Sequence, residues 1–256
     1  MARNSETGAT DPRRAAAATA LRYVESGMRI GVGAGSISAV LIDLLAARAR
    51  RGLDVFCVPT SRHTRDLAEK RGLRTGGLDE AGWLDITIDS ADEFDVEMNL
   101  IKGGGGGLLR EKIVASASDR MVVITDQSRH VDRLGAFPLP VEVAPFGWEV
   151  TRSILQDLAS DEEVAGDQIS LRMNRDDPFV TEDGHYILDL HLRRIVDPVK
   201  LTMMLNRVPG VVENGLFVGI ADVIVVGKRD GTADVLSKSP EDDLPPEDDG
   251  LFDDLS

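Results

Sequence analysis

Three carboxylates and one lysine surround a run of five glycines between Asp85 and Lys112, and residues of these types can move protons. Asp89 and Asp92 come first, Lys102 enters the run Gly103 to Gly107, and Glu111 follows shortly after it. A carboxylate can take a proton from carbon, a lysine can hold the charge that builds on oxygen, and further acids can bond hydroxyls. Glycine lets backbone N–H groups approach a ligand closely, and the start of a helix favours an oxyanion. Three neighbouring acids should also raise the pKa of at least one of them toward neutrality. The combination predicts an acid/base site with an anion cradle. Its competitor is a flexible linker, but linkers mix in Ser or Pro and separate domains. Here the glycines join Met98, Leu100 and Ile101 to the apolar positions Leu108, Leu109, Ile113 and Val114.

These groups need strand ends and helix starts to hold them. Asp85 to Asp89 alternates polar and apolar residues, which predicts a half-buried strand whose carboxyl end carries Asp89 and Asp92. Open α/β sheets bind ligands at that end of their strands. From Pro12 to Thr125 helical and strand patterns alternate. Helices are predicted over Arg14 to Ser26, Ser38 to Arg50, Ser61 (as cap) to Arg71 and Leu108 to Ser118. Strands are predicted over Met28 to Val32, Asp54 to Val58 and Met121 to Thr125. After Asp132 the pattern becomes α+β, with strands at Val141 to Val143, Ile169 to Met173 and Tyr186 to Leu192, and helices at Val150 to Leu158 and Pro198 to Arg207. Leu216 to Val226 returns to buried-strand composition and should rejoin the first sheet. The expected fold is α/β: a Rossmann-like parallel sheet flanked by helices, with a smaller α+β (ferredoxin-like) domain inserted before the final strands. The expected division is 1–135 plus 211–239, 136–210, and an acidic disordered tail over 240–256.

The 256 residues, 42% of them hydrophobic, can bury a sizeable core. A net charge of −15 argues against nucleic acid, which needs a basic footprint. Part of that acidity is local, because Glu241 to Asp254 holds eight acids, two prolines and no basic residue. No apolar run approaches the length of about 18 residues that spans a membrane. Cys57, the one cysteine, lies in the apolar run Val55 to Val58, reads as a small core residue, and fits a reducing cytoplasm. His63, His130, His185 and His191 lack metal-ligand spacing, and Trp83 and Trp148 read as packing residues.

A second glycine loop, Gly31 to Ile37, invites comparison with dinucleotide-binding loops. That fingerprint wants glycine where Ser36 stands and an acid after the second strand, where Val58 to Ser61 lies. Two readings remain: a phosphate cradle of backbone N–H groups with the Ser36 hydroxyl, or a structural tight turn. Val58 to Ser61 is either part of the same rim or a proline turn and helix cap. Arg13, Arg14 and Arg129 are candidates for charge against a phosphate, set against the usual place of arginine in solvent. With a sugar phosphate held by its phosphate in the first loop and its carbonyl end near Gly103, Glu111 can remove the proton beside the carbonyl. Lys102 and the glycine amides then stabilise the enediolate, while Asp89 and Asp92 bond hydroxyls and assist ring opening. The chemistry expected is metal-free aldose–ketose isomerisation.

At these residues the chain resembles the ribose-5-phosphate isomerase A family. Gly31 to Ile37 is similar to G-x-G-T-G-S-T, Val58 to Ser61 to V-P-T-S, and Asp89 to Glu93 to D-G-A-D-E. Ile101 to Ile113 resembles I-K-G-G-G followed by L-x-R-E-K-I, Phe137 to Val143 F-P-L-P-V-E-V, and Pro209 to Phe217 P-G-V-V-x-x-G-L-F. The resemblance implies interconversion of D-ribose 5-phosphate and D-ribulose 5-phosphate in the pentose phosphate pathway, without a cofactor, by a homodimer or homotetramer. It implies Glu111 as the base, Asp89 at ring opening, and Asp92 and Lys102 at the enediolate and hydroxyls. Substrate contacts are expected at Ala34, Gly35, Ser36, Ile37, Ser90, Ala91, Gly103, Gly104, Gly105 and Arg129. Ala34 and Ile37 stand where the family usually has threonine, Ser90 where it has glycine, and Arg129 where it has lysine. The expected losses are two hydroxyl donors, and the added Cβ of Ser90 is expected to crowd its strand end. The alternatives are a paralogous isomerase for another sugar phosphate and a sugar-phosphate sensor without turnover.

Overall fold

Strands rich in Val and Ile, covered on both faces by helices, build the centre of the molecule, as parallel sheets require. The computed structural model describes residues 11–161, 164–166 and 168–242. The chain begins with α1 (Pro12–Ala20), β1 (Arg29–Val32), α2 (Ser36–Ala49), β2 (Phe56–Pro59), α3 (Arg62–Lys70), β3 (Arg74–Thr75), α4 (Leu78–Ala81) and β4 (Ile86–Ser90). Two short strands, β5 (Glu93–Phe94) and β6 (Leu100–Ile101), lead into α5 (Leu108–Ser116) and β7 (Met121–Asp126). The next stretch holds β8 (Leu139–Val143), α6 (Trp148–Asp161), β9 (Gln168–Leu171), the hairpin of β10 (Met173–Asn174) and β11 (Asp177–Pro178), β12 (Tyr186–His191) and α7 (Pro198–Leu205). The strands β13 (Val211–Asn214), β14 (Leu216–Phe217), β15 (Val223–Gly227) and β16 (Ala233–Ser237) follow.

The main sheet runs β16-β15-β7-β4-β1-β2-β3, parallel throughout except for β16 at its edge. From β1 the chain builds outward through β2 and β3, then crosses to the other side of β1 for β4, β7 and β15. The order therefore reverses between β1 and β4, and a crevice opens past their carboxyl ends. On one face α1 and α2 pack Ala17, Leu41 and Leu45 against Ile30, Ile88, Val122 and Val225. On the other, Val114 of α5 packs with Val58 and Leu84.

Local chemistry sets the helix ends. The Asp11 carboxylate accepts from the Arg13 N–H and Pro12 opens the first turn, so α1 starts two residues before the expected Arg14. It ends at Ala20, with one 3-10 turn to Tyr23, rather than at Ser26. Ser61 caps α3 as expected, accepting from the Thr64 N–H at 3.1 Å.

Several expectations change. The strand carrying Asp89 is buried from Ile86 to Asp89, not half-buried, because helices cover both of its faces. Of Leu216 to Val226, expected to rejoin the main sheet, only Val223–Gly227 does so; Leu216–Phe217 pairs antiparallel with β6 in a three-stranded sheet. Val211–Asn214 also stays out of the main sheet. It pairs antiparallel with β8, giving the small sheet the order β13-β8-β12-β9 and completing a ferredoxin-like β-α-β-β-α-β unit. Within the expected tail, Pro240–Asp242 forms a 3-10 turn, and the rest of that tail lies outside the described residues. Trp83 is 59% exposed, its indole N–H donating to Asp119, so it does not pack. Trp148 packs edge-on against Tyr186. Cys57 is fully buried in the main core, and burial pushes its thiol up to about 12.

Gly31 holds a tight crossing: a Cβ there would stand 2.1 Å from the Thr87 hydroxyl and 2.5 Å from a Val114 methyl. Gly31→Ala is expected to destabilise the protein by about 1–3 kcal/mol, the usual range for overpacking. Urea unfolding of the two proteins measures the difference, and an unchanged midpoint contradicts the crossing.

Candidate active site

The acid/base residues come from different pieces of the fold. Asp89 ends β4 and is wholly buried, Lys102 follows β6 and is 2% exposed, and Glu111 lies in the first turn of α5 at 5%. The Lys102 Nζ stands 2.9 Å from Asp89 Oδ2 and 3.2 Å from Glu111 Oε2, and donates to the Ser90 carbonyl at 2.5 Å. The backbone N–H of Lys102 is tied to Gly215, where the chain passes toward β14. Beneath it, the ring of Phe217 lies 5.3 Å from the ammonium. Glycine makes room: a Cβ at Gly33 would sit 1.7 Å from Asp89 Oδ1, so only glycine lets the first loop close over that carboxylate.

Burial governs the protonation states. Desolvation pushes the Glu111 carboxyl up to about 7, Lys102 pulls it back down, and the Asp89 charge adds to the rise. Burial likewise raises Asp89, against the pull of Lys102. The mutual repulsion expected between the acids is thus real but secondary to burial. For Lys102, burial works to lower the pKa, but the two carboxylates outweigh it and hold the ammonium above its usual range. The site therefore holds a permanent cation and one carboxyl that titrates near neutrality.

Ala34, Gly35, Ser90, Asp92, Lys102, Gly103, Gly104, Gly105 and Glu111 line one cleft of about 340 Å³, its open mouth included. Asp92 carries its carboxylate to the glycine loop, where Oδ2 accepts from the Gly104 N–H at 2.8 Å. Gly35 and Gly103 adopt φ of 108° and 99°, in the region that favours glycine. The first loop ends at Ser36, so the N-terminus of α2, whose first N–H groups lack helical acceptors, lies beside Gly35. A wider surface hollow of about 650 Å³, its open mouth included, lies by Arg29, Phe56 and Arg74 at the amino-terminal ends of the strands, without a buried acid–lysine set.

Other expected site residues fall elsewhere. Ile37 and Ala91 are buried in apolar clusters. Ser36 opens α2 directly after Gly35, and the Arg129 guanidinium donates to the Asp92 carbonyl at 3.4 Å. Val58 to Ser61 serves structure: the Thr60 N–H bonds the Val32 carbonyl and Ser61 caps α3. Ser90 lacks a positive φ, and its hydroxyl donates to the Ala34 carbonyl at 3.2 Å, tying the two loops together instead of crowding them. Ser38 donates to the same carbonyl at 3.1 Å. Sequence reasoning gave Phe217 no role although it closes the Pro209–Phe217 motif, and it missed the pair Arg172–Asp189, which reaches the site with no local signal.

Fold and site together define an α/β protein with a proton-transfer centre at a sheet reversal. The family model of ribose 5-phosphate isomerase A (phosphoriboisomerase A) matches residues 56–231. The chain belongs to this family. It is 55% identical over 221 residues to ribose-5-phosphate isomerase A of Ruegeria pomeroyi, covering 86% of this chain and 84% of the relative. It is 52% identical over 221 residues to that of Jannaschia sp., with the same coverage. Among solved structures, ribose 5-phosphate isomerase A of Methanocaldococcus jannaschii superposes with a TM-score of 0.81 at 36% identity, covering 89% of this chain and 99% of that one. A D-ribose-5-phosphate isomerase in complex with phospho-erythronic acid gives 0.82 at 36% identity, covering 89% and 98%.

The charges around Glu111 fix how its titration should respond. Carboxyl infrared or ¹³C titration of Glu111 should show a midpoint near pH 7. Lys102→Gln should raise that midpoint by removing the cation, and Asp89→Asn should lower it by removing a like charge. Opposite shifts contradict the assignment.

Proposed function

We propose that this isomerase interconverts D-ribose 5-phosphate and D-ribulose 5-phosphate by proton transfer through an enediolate, with Glu111 as the base. The observation that carries this reading is the buried Asp89–Lys102–Glu111 arrangement. A carboxylate that titrates near neutrality is matched to taking a proton from carbon and returning it to the neighbouring carbon. The fixed Lys102 ammonium offsets the charge that enolisation builds on oxygen. Asp89 and Asp92 bond the sugar hydroxyls and assist opening of the furanose ring. The phosphate lies at Gly35 and the first turn of α2, where backbone N–H groups face an anion. The complex of a family member with phospho-erythronic acid supports the substrate class, because an aldonate carboxylate places two oxygens as an enediolate does.

The departures on the phosphate side leave this assignment in place. Ile37 is buried in the core, so the hydroxyl missing there takes no donor away from the cleft wall in this fold. Among the described residues no helix is long and apolar enough to cross a membrane. We propose a homodimer or homotetramer working in the cytoplasm on a small sugar phosphate, without nucleic acid. Exposed Phe146, Val150 and Met203 supply apolar surface for assembly.

Steady-state turnover on a panel of pentose and tetrose phosphates tests the substrate. Ribose 5-phosphate should be preferred, with kcat/KM above about 10⁴ M⁻¹s⁻¹. Better turnover of another sugar transfers the activity to that substrate. Glu111→Gln should lower kcat by about 10²–10⁴-fold, the usual contribution of a positioned base. Wild-type-like activity in that variant removes Glu111 from the chemistry.

A further inference from the structure

A single guanidinium from the ferredoxin-like unit holds the backbone of the glycine loop from behind. The Arg172 Nη1 donates to the Gly103 carbonyl at 2.8 Å and to the Gly104 carbonyl at 3.0 Å. Its other nitrogens grip Asp189 of β12 in a two-point fork, Nε to Oδ2 at 2.9 Å and Nη2 to Oδ1 at 2.5 Å. Both side chains are only 15% exposed. Such a charge-assisted fork fixes the guanidinium plane, and with it the directions of its remaining N–H bonds.

The consequence follows from peptide geometry. In a trans peptide the carbonyl of one residue and the N–H of the next point in opposite directions. Drawing the Gly103 and Gly104 carbonyls toward Arg172 therefore turns the Gly104 and Gly105 N–H groups the other way. The first meets Asp92 Oδ2 at 2.8 Å. The second has no acceptor among the described residues, and Gly105 lines the cleft. Gly103 sits at φ 99°, so its backbone can take up the turn, but glycine alone does not hold it there.

We propose that Arg172, oriented by Asp189, is a positioning residue that aligns the Gly105 amide as a donor for the enediolate oxygen while the Gly104 amide anchors Asp92. The inference rests on the isomerase reading above and assigns part of its oxyanion stabilisation to the second unit. Arg172 does not touch the reacting atoms; its effect passes through two peptide planes. Lysine, a point donor without the fork, cannot bond Asp189 and both carbonyls in one plane.

The test compares Arg172→Lys, Arg172→Ala and Asp189→Asn with wild type, reading kcat, KM, affinity for phospho-erythronic acid and the thermal midpoint. Removing one oxyanion donor lowers kcat by about 10²–10³-fold, so misaligning one should lower it by roughly 10–100-fold. In Arg172→Lys, kcat should fall by that factor with KM within about threefold and the thermal midpoint near wild type. Affinity for phospho-erythronic acid should fall in parallel, and added guanidinium should restore part of the kcat of Arg172→Ala. An Arg172→Lys enzyme within twofold of wild type overturns the proposal, as does a rise in KM alone or a loss that only follows the thermal midpoint. A wild-type chain that binds the analogue but does not turn over ribose 5-phosphate overturns the substrate reading instead. The analogue affinities of the variants then still decide the role of Arg172.

Discussion

A lysine ammonium buried between two buried carboxylates is stable only while all three groups stay together. Removing one partner from such a cluster costs about 3–5 kcal/mol, because a charge is left unpaired in low dielectric. Each member belongs to a different piece: Asp89 to the main sheet, Lys102 to the turn that leaves β6 of the three-stranded sheet, and Glu111 to α5. The cluster works as a joint between them. Its fit explains why Gly33 has no Cβ and why Lys102 is tied by its own amide to Gly215. Lys102 remains charged at any working pH, so it cannot serve as the base. That leaves Glu111 as the group that carries a proton.

Much of this was legible in the chain because its cues are local. The Lys102-to-Glu111 spacing around the glycines, the cap at Ser61 and the buried-strand composition of Met121 to Thr125 are short-range features that survive folding. What could not be read depended on pairing at a distance. Leu216–Phe217 reads as part of one apolar run to Val226, and only its antiparallel register with β6 places it in a separate sheet. The alternation over Asp85 to Asp89 suggested one wet face, yet Thr87 and Asp89 are buried because α5 and the first glycine loop cover them. Arg172 lies 69 residues from Gly103 in sequence, and nothing around it distinguishes it from a surface arginine.

The substitutions near the phosphate side illustrate the same limit. On paper Ala34 and Ile37 each remove a hydroxyl from a binding loop. In the fold Ile37 joins the core with Leu41 and Ile42, while the Ala34 carbonyl takes bonds from Ser38 and Ser90. Ser90, with a Cβ expected to crowd the strand end, instead ties the end of β4 to the first loop through its hydroxyl. A residue type at a position is therefore a weak guide to its role until the direction of its side chain is known.

The protonation chemistry exacts a thermodynamic cost that can be signed. A glutamate ordinarily titrates near 4.5, and Glu111 is held at about 7 in the native state, so the folded protein binds a proton that the unfolded chain releases. The stability this contributes is complete below about pH 4.5, declines through the interval, and is gone once the pH passes 7. At the pH where Glu111 is an effective base, the fold has thus given up on the order of 3 kcal/mol at this one group. Lys102 keeps that loss from being larger, since its charge pulls the same pKa down. A more exposed Glu111 would relieve the strain and lower its pKa toward the ordinary range, leaving a weaker base. Burial is therefore the source of both the site's instability and its reactivity.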